Sequence, residues 1–324
     1  MAQEAVWLSG LVSYEQSEAI LQRIGQIDIS DSSVWRQAQK WGKKFKDIED
    51  KERVTANTVA NGRDGQRREV KSEGRKGVSM DGGMVYIRGE GWKEVKVGAV
   101  FEVDVQPTTD PLTGDVIDLA HAVKVSYTAH LGGPEVFGAQ LWAEAKRRGW
   151  EKALDTEAIG DAAAWIWNIV AGCFYDSHQV VDWYHATEHL AAVAHLLKGE
   201  GTPAAAHWLN EYKRTLFQGQ IDQLVQDIHK AAQDQPDQTE EIQKQTGYFE
   251  NNKKRMNYQE MRENGFVIGS GTVESGAKQY KARLCGPGMR WSRSGAENLL
   301  PIRSAIMSHR FDAWWQRAYN SPPA

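Results

Sequence analysis

The feature that most restricts the fold of this chain is a change in hydrophobic period at Gly77. From there to Leu131 apolar side chains recur at alternate positions, the pattern of half-buried strands, and beyond Pro134 short apolar runs alternate with helical ones. Residues 78–87 (VSMDGGMVYI) read as a strand, a Gly turn and a strand, and 92–105 and 116–131 continue as strands. Together these should make an antiparallel meander. Residues 134–149 then read as a helix with Pro134 at its start and Gly149 past its end. A short strand, 152–161, ends in Asp161; an apolar helix spans 162–174; and a fifth strand, 178–186, runs into a helix over 186–199.

The order β-β-β-α-β-α-β, followed by polar helices and a last helix, predicts an α/β protein. More narrowly, it predicts an RNase H-like mixed sheet flanked by helices, with a helical insertion before the last catalytic helix and an N-terminal helical segment. The expected divisions are 1–70 for the N-terminal helices and linker, and 75–198 for the first part of the core. The insertion follows at 199–264, broken near QDQPDQTEE, then the last core helices at 265–312 and a tail at 313–324. Within the first division, 13–26 and 30–45 read as two helices, the second capped by Ser30, Asp31 or Ser32. The pair can be read as a DNA-binding helix-turn-helix or as an ordinary helical pair. Residues 47–75, polar and without a period, read as a linker.

Composition excludes some functions. The 13 Trp and 41% hydrophobic residues supply a sizeable core, so global disorder is not expected. The apolar run 162–175 is too short to cross a bilayer and the N-terminus has no secretory pattern, so a cytoplasmic protein without a membrane partner is expected. Two cysteines, Cys173 and Cys285, make neither a disulfide framework nor a zinc ribbon. The net charge is −4, but its distribution is uneven: residues 36–76 carry 13 Lys/Arg against 7 Asp/Glu, and 278–310 carry 7 against 1. Two basic patches on an otherwise acidic chain fit a polyanionic partner, although each can also be a solvated face.

Three acids stand where such a fold brings strand ends and helix starts together. Asp81 lies in the first strand, Asp161 ends the fourth, and Glu274 opens the last helix. Carboxylates in this arrangement can hold hard divalent ions that bridge to a phosphate. Each also has an ordinary reading: Asp81 before Gly82 and Gly83 as a turn former, Asp161 as a helix cap, Glu274 as a first-turn acid. His185, Glu188 and His189 spell H-x-x-E-H, which makes a zinc hydrolase an alternative. Asp182 and His185 also form a D-x-x-H pair at a strand-helix junction. Past Glu274, Lys278, Lys281 and Arg283 recur at helical spacing, and Arg290 and Trp291 can contact phosphate and stack on a base. For Trp291 a core role is an equal alternative.

Several blocks together resemble the DDE transposases of bacterial insertion sequences, especially the Kra-type and Lre-type groups, which are related to Mutator-like transposases. They are VSMDGG at 78–83, IGDAAAWIW at 159–167, DWYHATEHL at 182–190, YFENNKKRMNY at 248–258, IGSGTVES at 268–275 and GPGMRWSRSGAENLLPIRS at 286–304. The resemblance covers nearly the whole chain from about residue 7. It implies an RNase H-like core with Asp81, Asp161 and Glu274 as metal-binding catalytic residues, Mg²⁺ or Mn²⁺ as two ions, and Asp182 and His185 in support. It implies DNA contacts from Lys278, Lys281, Arg283, Arg290 and Trp291. The implied reaction is cleavage at transposon ends and strand transfer into target DNA by a homo-oligomer found in the cytoplasm, nucleoid-associated when on DNA. Where relatives commonly read Asp-Gly, Ala162 follows Asp161. Relatives commonly carry a longer N-terminal region, so a shortened N-terminus is expected, and a decayed element that binds DNA without cutting is a further alternative.

Overall fold

The computed structural model describes residues 1–60, 74–110 and 114–321. The N-terminal helices are α1 (Ala2–Leu11), α2 (Tyr14–Gly25) and α3 (Asp31–Ala60). The sheet strands are β1 (Lys76–Ile87), β2 (Gly91–Thr109), β3 (Val116–Leu131), β4 (Thr156–Gly160) and β5 (His178–Val181), with α4 (Pro134–Arg147) and α5 (Ala164–Cys173) between the last three. Then come α6 (Trp183–Lys198), α7 (Pro203–Phe217), α8 (Ile221–Ala232), α9 (Thr239–Asn252) and α10 (Tyr258–Glu263). The chain closes with α11 (Gly271–Leu284), α12 (Arg293–Met307) and α13 (Phe311–Asn320).

The sheet order is β3-β2-β1-β4-β5. The first three strands form the antiparallel meander, and β4 and β5 run parallel to β1, so the sheet is mixed. Alternation along β1 assigns its two faces. Val78 and Met80 pack into a core with α4, α5, α6 and the helices that follow, whereas Val85 and Ile87 pack into a second core with α11 and α12. Gly82 and Gly83 do not turn the chain: β1 continues through them, paired with Lys96 and Val95 of β2. With β2 already supplying a ladder partner at both positions, extension satisfies their backbone groups and a turn would not.

Two other expectations about chain organisation change. Residues 47–60 are helical, not linker: they continue α3, which buries Val34, Ala38, Trp41, Phe45 and Ile48 along one stripe at spacings of three and four; of that expected linker, 61–73 lie outside the described residues. Ser30 caps α3, its Oγ accepting from Ser33 N–H at 3.3 Å. A 30-residue helix laid along the core is unlike the short recognition helix of a helix-turn-helix. Nor are residues 313–320 a tail: Trp314 and Trp315 of α13 are buried against Phe45 and Trp41 of α3. Gly42 permits the tight crossing of α3 with α12, where an added Cβ would stand 2.1 Å from the carbonyl oxygen of Asn298.

Candidate metal centre

The parallel part of the sheet sets up the site. Met80, Gly160 and Val181 are register partners across β1, β4 and β5. Asp81, Asp161 and Asp182 are each the next residue after that row, so three carboxylates leave three adjacent strands at one level, with strand spacing of about 4.8 Å. The carboxyl ends of parallel strands are the usual place for ligand sites in such sheets.

A fourth acid comes from α11, whose start is fixed to the same strand ends. Trp183 N–H donates to Ile268 O at 3.0 Å, Val267 N–H donates to the buried Glu157 carboxylate at 3.1 Å, and Ser270 N–H donates to Asp182 Oδ2. Ser270 Oγ then donates to Glu274 Oε1 at 3.1 Å. Further along, α11 sits so close to β3 that Gly276 leaves no room for a Cβ, which would lie 2.4 Å from the Tyr127 ring.

Ligand atoms of Asp182, His185 and Glu274 lie within 4.8 Å of one another. The expected set Asp81, Asp161 and Glu274 does not meet that spacing among the described residues. Local hydrogen bonds give the reason. Asp81 Oδ1 accepts from Gly82 N–H at 2.7 Å and Asp161 Oδ1 from Ala163 N–H at 2.7 Å, so each engages its own following backbone. Ser270 meanwhile ties Glu274 toward Asp182. Asp81 and Asp161 therefore flank the closest trio.

Burial and hydrogen bonds oppose each other in setting the charges of the site. Asp182, fully buried, is pushed up by burial, but hydrogen bonds from the His185 ring, His185 N–H and Ser270 outweigh this and hold it below the ordinary carboxylate value. The contact itself is short: His185 Nδ1 lies 3.0 Å from Asp182 Oδ1, and His185 N–H donates to the same oxygen at 2.7 Å. That hydrogen bond raises His185 to about 9, against a smaller loss from burial, with Asp182, Asp161 and Glu188 adding to the rise. Burial likewise raises Asp81, partly offset by Gly82 N–H and the charge of Lys281, while Asp161 raises it further.

The donors suit a divalent cation: carboxylate oxygens on four chain segments and one imidazole. With His185 protonated near neutrality, the oxygens of Asp81, Asp161, Asp182 and Glu274 are the ready ligands, and His185 would have to release its proton to join them. His189 does not face this set. Its ring stacks on Tyr248 with centroids 3.7 Å apart, and its Nδ1 is 2.6 Å from Gln245 Oε1, so the H-x-x-E-H residues do not form a common site.

The basic residues expected on DNA separate into two groups. Lys278 is exposed, with Nζ 3.8 Å from Glu274 Oε2, and Lys281 and Arg290 are exposed as well. Arg283 is buried, its Nε donating to Ser9 O at 2.7 Å and its guanidinium lying over the rings of Tyr14 and Trp291. It cannot reach a phosphate backbone at the surface. Trp291 is buried too: its indole N–H donates to Leu284 O at 2.8 Å, and its backbone is bonded to Tyr86 and Arg88 beside the end of β1. The loop before it is a turn closed by Met289 N–H on Gly286 O at 3.0 Å, with Pro287 second and Gly288 third at φ 75°. That is the type II arrangement, which needs glycine at the third position.

Sequence reasoning gave Asp182 only a supporting role and passed over Ser270. A signal for Asp182 was present, since an apolar strand segment ends in Asp three times, at 81, 161 and 182. Ser270 carried no signal, because its function depends on a partner 88 residues away. No protein-family model matches the chain, and no curated protein matches it.

Proposed function

We propose that this chain is a DDE-type transposase with an RNase H-like core, which cleaves DNA at the ends of a mobile element and joins them to target DNA. One observation carries the reading: Asp81, Asp161 and Asp182 follow a single row of three parallel strands, and Glu274 is brought to the same strand ends through Ser270. The sequence blocks quoted above support the choice of family.

Asp81, Asp161 and Glu274 would hold Mg²⁺ or Mn²⁺ once a cation draws Glu274 toward the two aspartates, with Asp182 beside Glu274 as a further oxygen donor. Bound there, such ions supply positive charge to the attacking and leaving oxygens of an in-line phosphoryl displacement. The protein's own part is positional and electrostatic. Asp182 fixes the His185 ring through Nδ1, so that a protonated imidazole offsets part of the carboxylate charge until a cation and a phosphate arrive. Lys278 and Lys281 line the same helix face as Glu274 and would meet the phosphates on either side of the scissile one. Two ends must be held at once, so a homo-oligomer is part of the proposal.

The test is nicking of plasmid DNA with Mg²⁺ or Mn²⁺. Wild-type protein should nick only with the metal, and Asp81→Asn should lower the rate by at least a hundredfold, on the scale of losing one charge-stabilising group, while retaining DNA affinity. Unchanged nicking in both Asp81→Asn and Asp161→Asn would sink the assignment. Metal-independent DNA binding with no nicking by the wild type would instead identify a decayed element.

A further inference from the structure

We infer that a groove at the far end of α11 takes a single-stranded stretch of nucleic acid, with Trp35 as its stacking surface and Arg88 and Arg290 as its phosphate contacts. The groove, about 340 Å³, lies between the N-terminal helices and the segment 288–295, and Tyr14, Trp35, Arg88, Arg283, Arg290 and Trp291 are among its walls. The volume is at the lower end of those that hold small organic ligands, enough for one nucleotide and too little for a duplex.

Its electrostatics are one-signed. Three arginines line the groove and, among the described residues, no carboxylate does. The acid closest in sequence to Arg88, Glu90, is engaged by Arg293. The groove floor adds a second observation. Arg283 is 3% exposed, forms no ion pair among the described residues, and has the Tyr14 hydroxyl beside its guanidinium. Burial is the largest influence on the Arg283 charge and works against it, the Tyr14 hydroxyl partly offsets this, and the neighbouring Arg303 adds to the loss. A desolvated cation without a counter-charge costs stability, and an anion in the groove would supply one. Arg283 thus contributes to anion binding from beneath, not as a surface contact.

The aromatic wall narrows the ligand further. Trp35 is 46% exposed although its helix neighbours Val34 and Ala38 are fully or almost fully buried. An open indole flanked by exposed arginines is the combination that holds unpaired bases and their phosphates, since a base inside a duplex has no free face to stack. Position agrees with the proposed function, on which this inference rests. Glu274 and Arg283 are nine residues apart on α11, about 13 Å of helix. The groove would hold the strand at a distance from the acids.

The experiment is fluorescence anisotropy in EDTA with a labelled single-stranded oligonucleotide, the matching duplex, and an unlabelled mononucleotide as competitor. Trp35→Ala should weaken single-strand binding roughly five- to hundredfold, the range for losing one base stack, with little effect on the duplex. Arg88→Gln with Arg290→Gln should lower the slope of log affinity against log salt by about 1.4, close to 0.7 per phosphate contact on a single strand. All three positions are exposed, so folding should persist, which circular dichroism would verify. Wild-type single-strand affinity in both variants overturns the groove. Equal losses for duplex and single strand overturn its strand preference, and competition by the mononucleotide at the oligonucleotide's own affinity makes it a nucleotide pocket instead. Plasmid nicking separates the two proposals. Nicking lost in Asp81→Asn, with Trp35→Ala binding as wild type does, removes the groove alone; Trp35-dependent binding in a protein that never nicks removes the transposase reading alone.

Discussion

Asp182 concentrates more of the site on one side chain than any other residue. It is buried and accepts hydrogen bonds from His185 N–H, His185 Nδ1 and Ser270 N–H. Asp182→Ala removes the acceptor for all three and leaves the His185 charge without its partner. A loss of about 1–3 kcal/mol, the range for leaving hydrogen-bonding partners unmet, is expected in urea unfolding. The pair also sets a pH dependence. His185 is raised from 6.5 to about 9, so its contribution is fully present below 6.5 and fades as pH rises through about 9. Asp182 is lowered from 3.8, so its contribution is present above 3.8 and fades as pH falls through its lower folded value. Stability of the metal-free protein from this pair should therefore be greatest between about 4 and 6.5. In His185→Gln the decline toward pH 9 should disappear, and unfolding midpoints measured from pH 4 to 10 would test this. Ser270→Ala is milder: it frees Glu274 from its tether and leaves the Ser270 N–H bond to Asp182 in place, so metal affinity should fall more than stability, as calorimetry would reveal.

At the scale of elements, α11 is held at both ends and in the middle. Its start is tied to Asp182, Gly276 lets it lie against Tyr127, and its far end carries Arg283 into the core. The angle of α11 thus decides where Glu274 points. α12 has a comparable constraint from Gly42 of α3, where an added Cβ would meet the Asn298 backbone. Gly42→Ala gains helix propensity, but its methyl group would collide with the Asn298 carbonyl. Net destabilisation of about 1–3 kcal/mol is expected, the cost of overpacking, seen as a lower urea midpoint with an unchanged slope. The period-2 pattern made β2 and β3 legible, and the caps made α4 legible. The course of β1 through Gly82 and Gly83 was not, because local turn chemistry favours a bend there and only pairing with β2 along the whole strand overrides it.

Across the whole molecule, the first and last helices share one core. Val6 of α1, Trp41 and Phe45 of α3, Ile302 of α12 and Trp314 of α13 pack in a single cluster. The N-terminal helices are therefore part of the framework that carries α11 and α12. Trp314→Ala should cost about 3–5 kcal/mol, and removal of residues 1–60 should leave that cluster open and the remainder without fixed packing, visible as loss of near-ultraviolet dichroism. Among the described residues no helix is long and apolar enough to cross a membrane.

The sequence by itself determined the antiparallel meander, most of the helices around it, and Asp81, Asp161 and Glu274 as candidate acids, because hydrophobic period and caps act over a few neighbouring positions. Tertiary structure alone decided which acids meet. Whether Glu274 lies nearest Asp161 or Asp182 depends on Ser270 and on the seat of α11 over Gly276. Likewise, Arg283 was one cation in a helical series until packing buried it under Tyr14 and Trp291. Burial and distance between remote residues arise from packing of whole elements, and no local pattern encodes them.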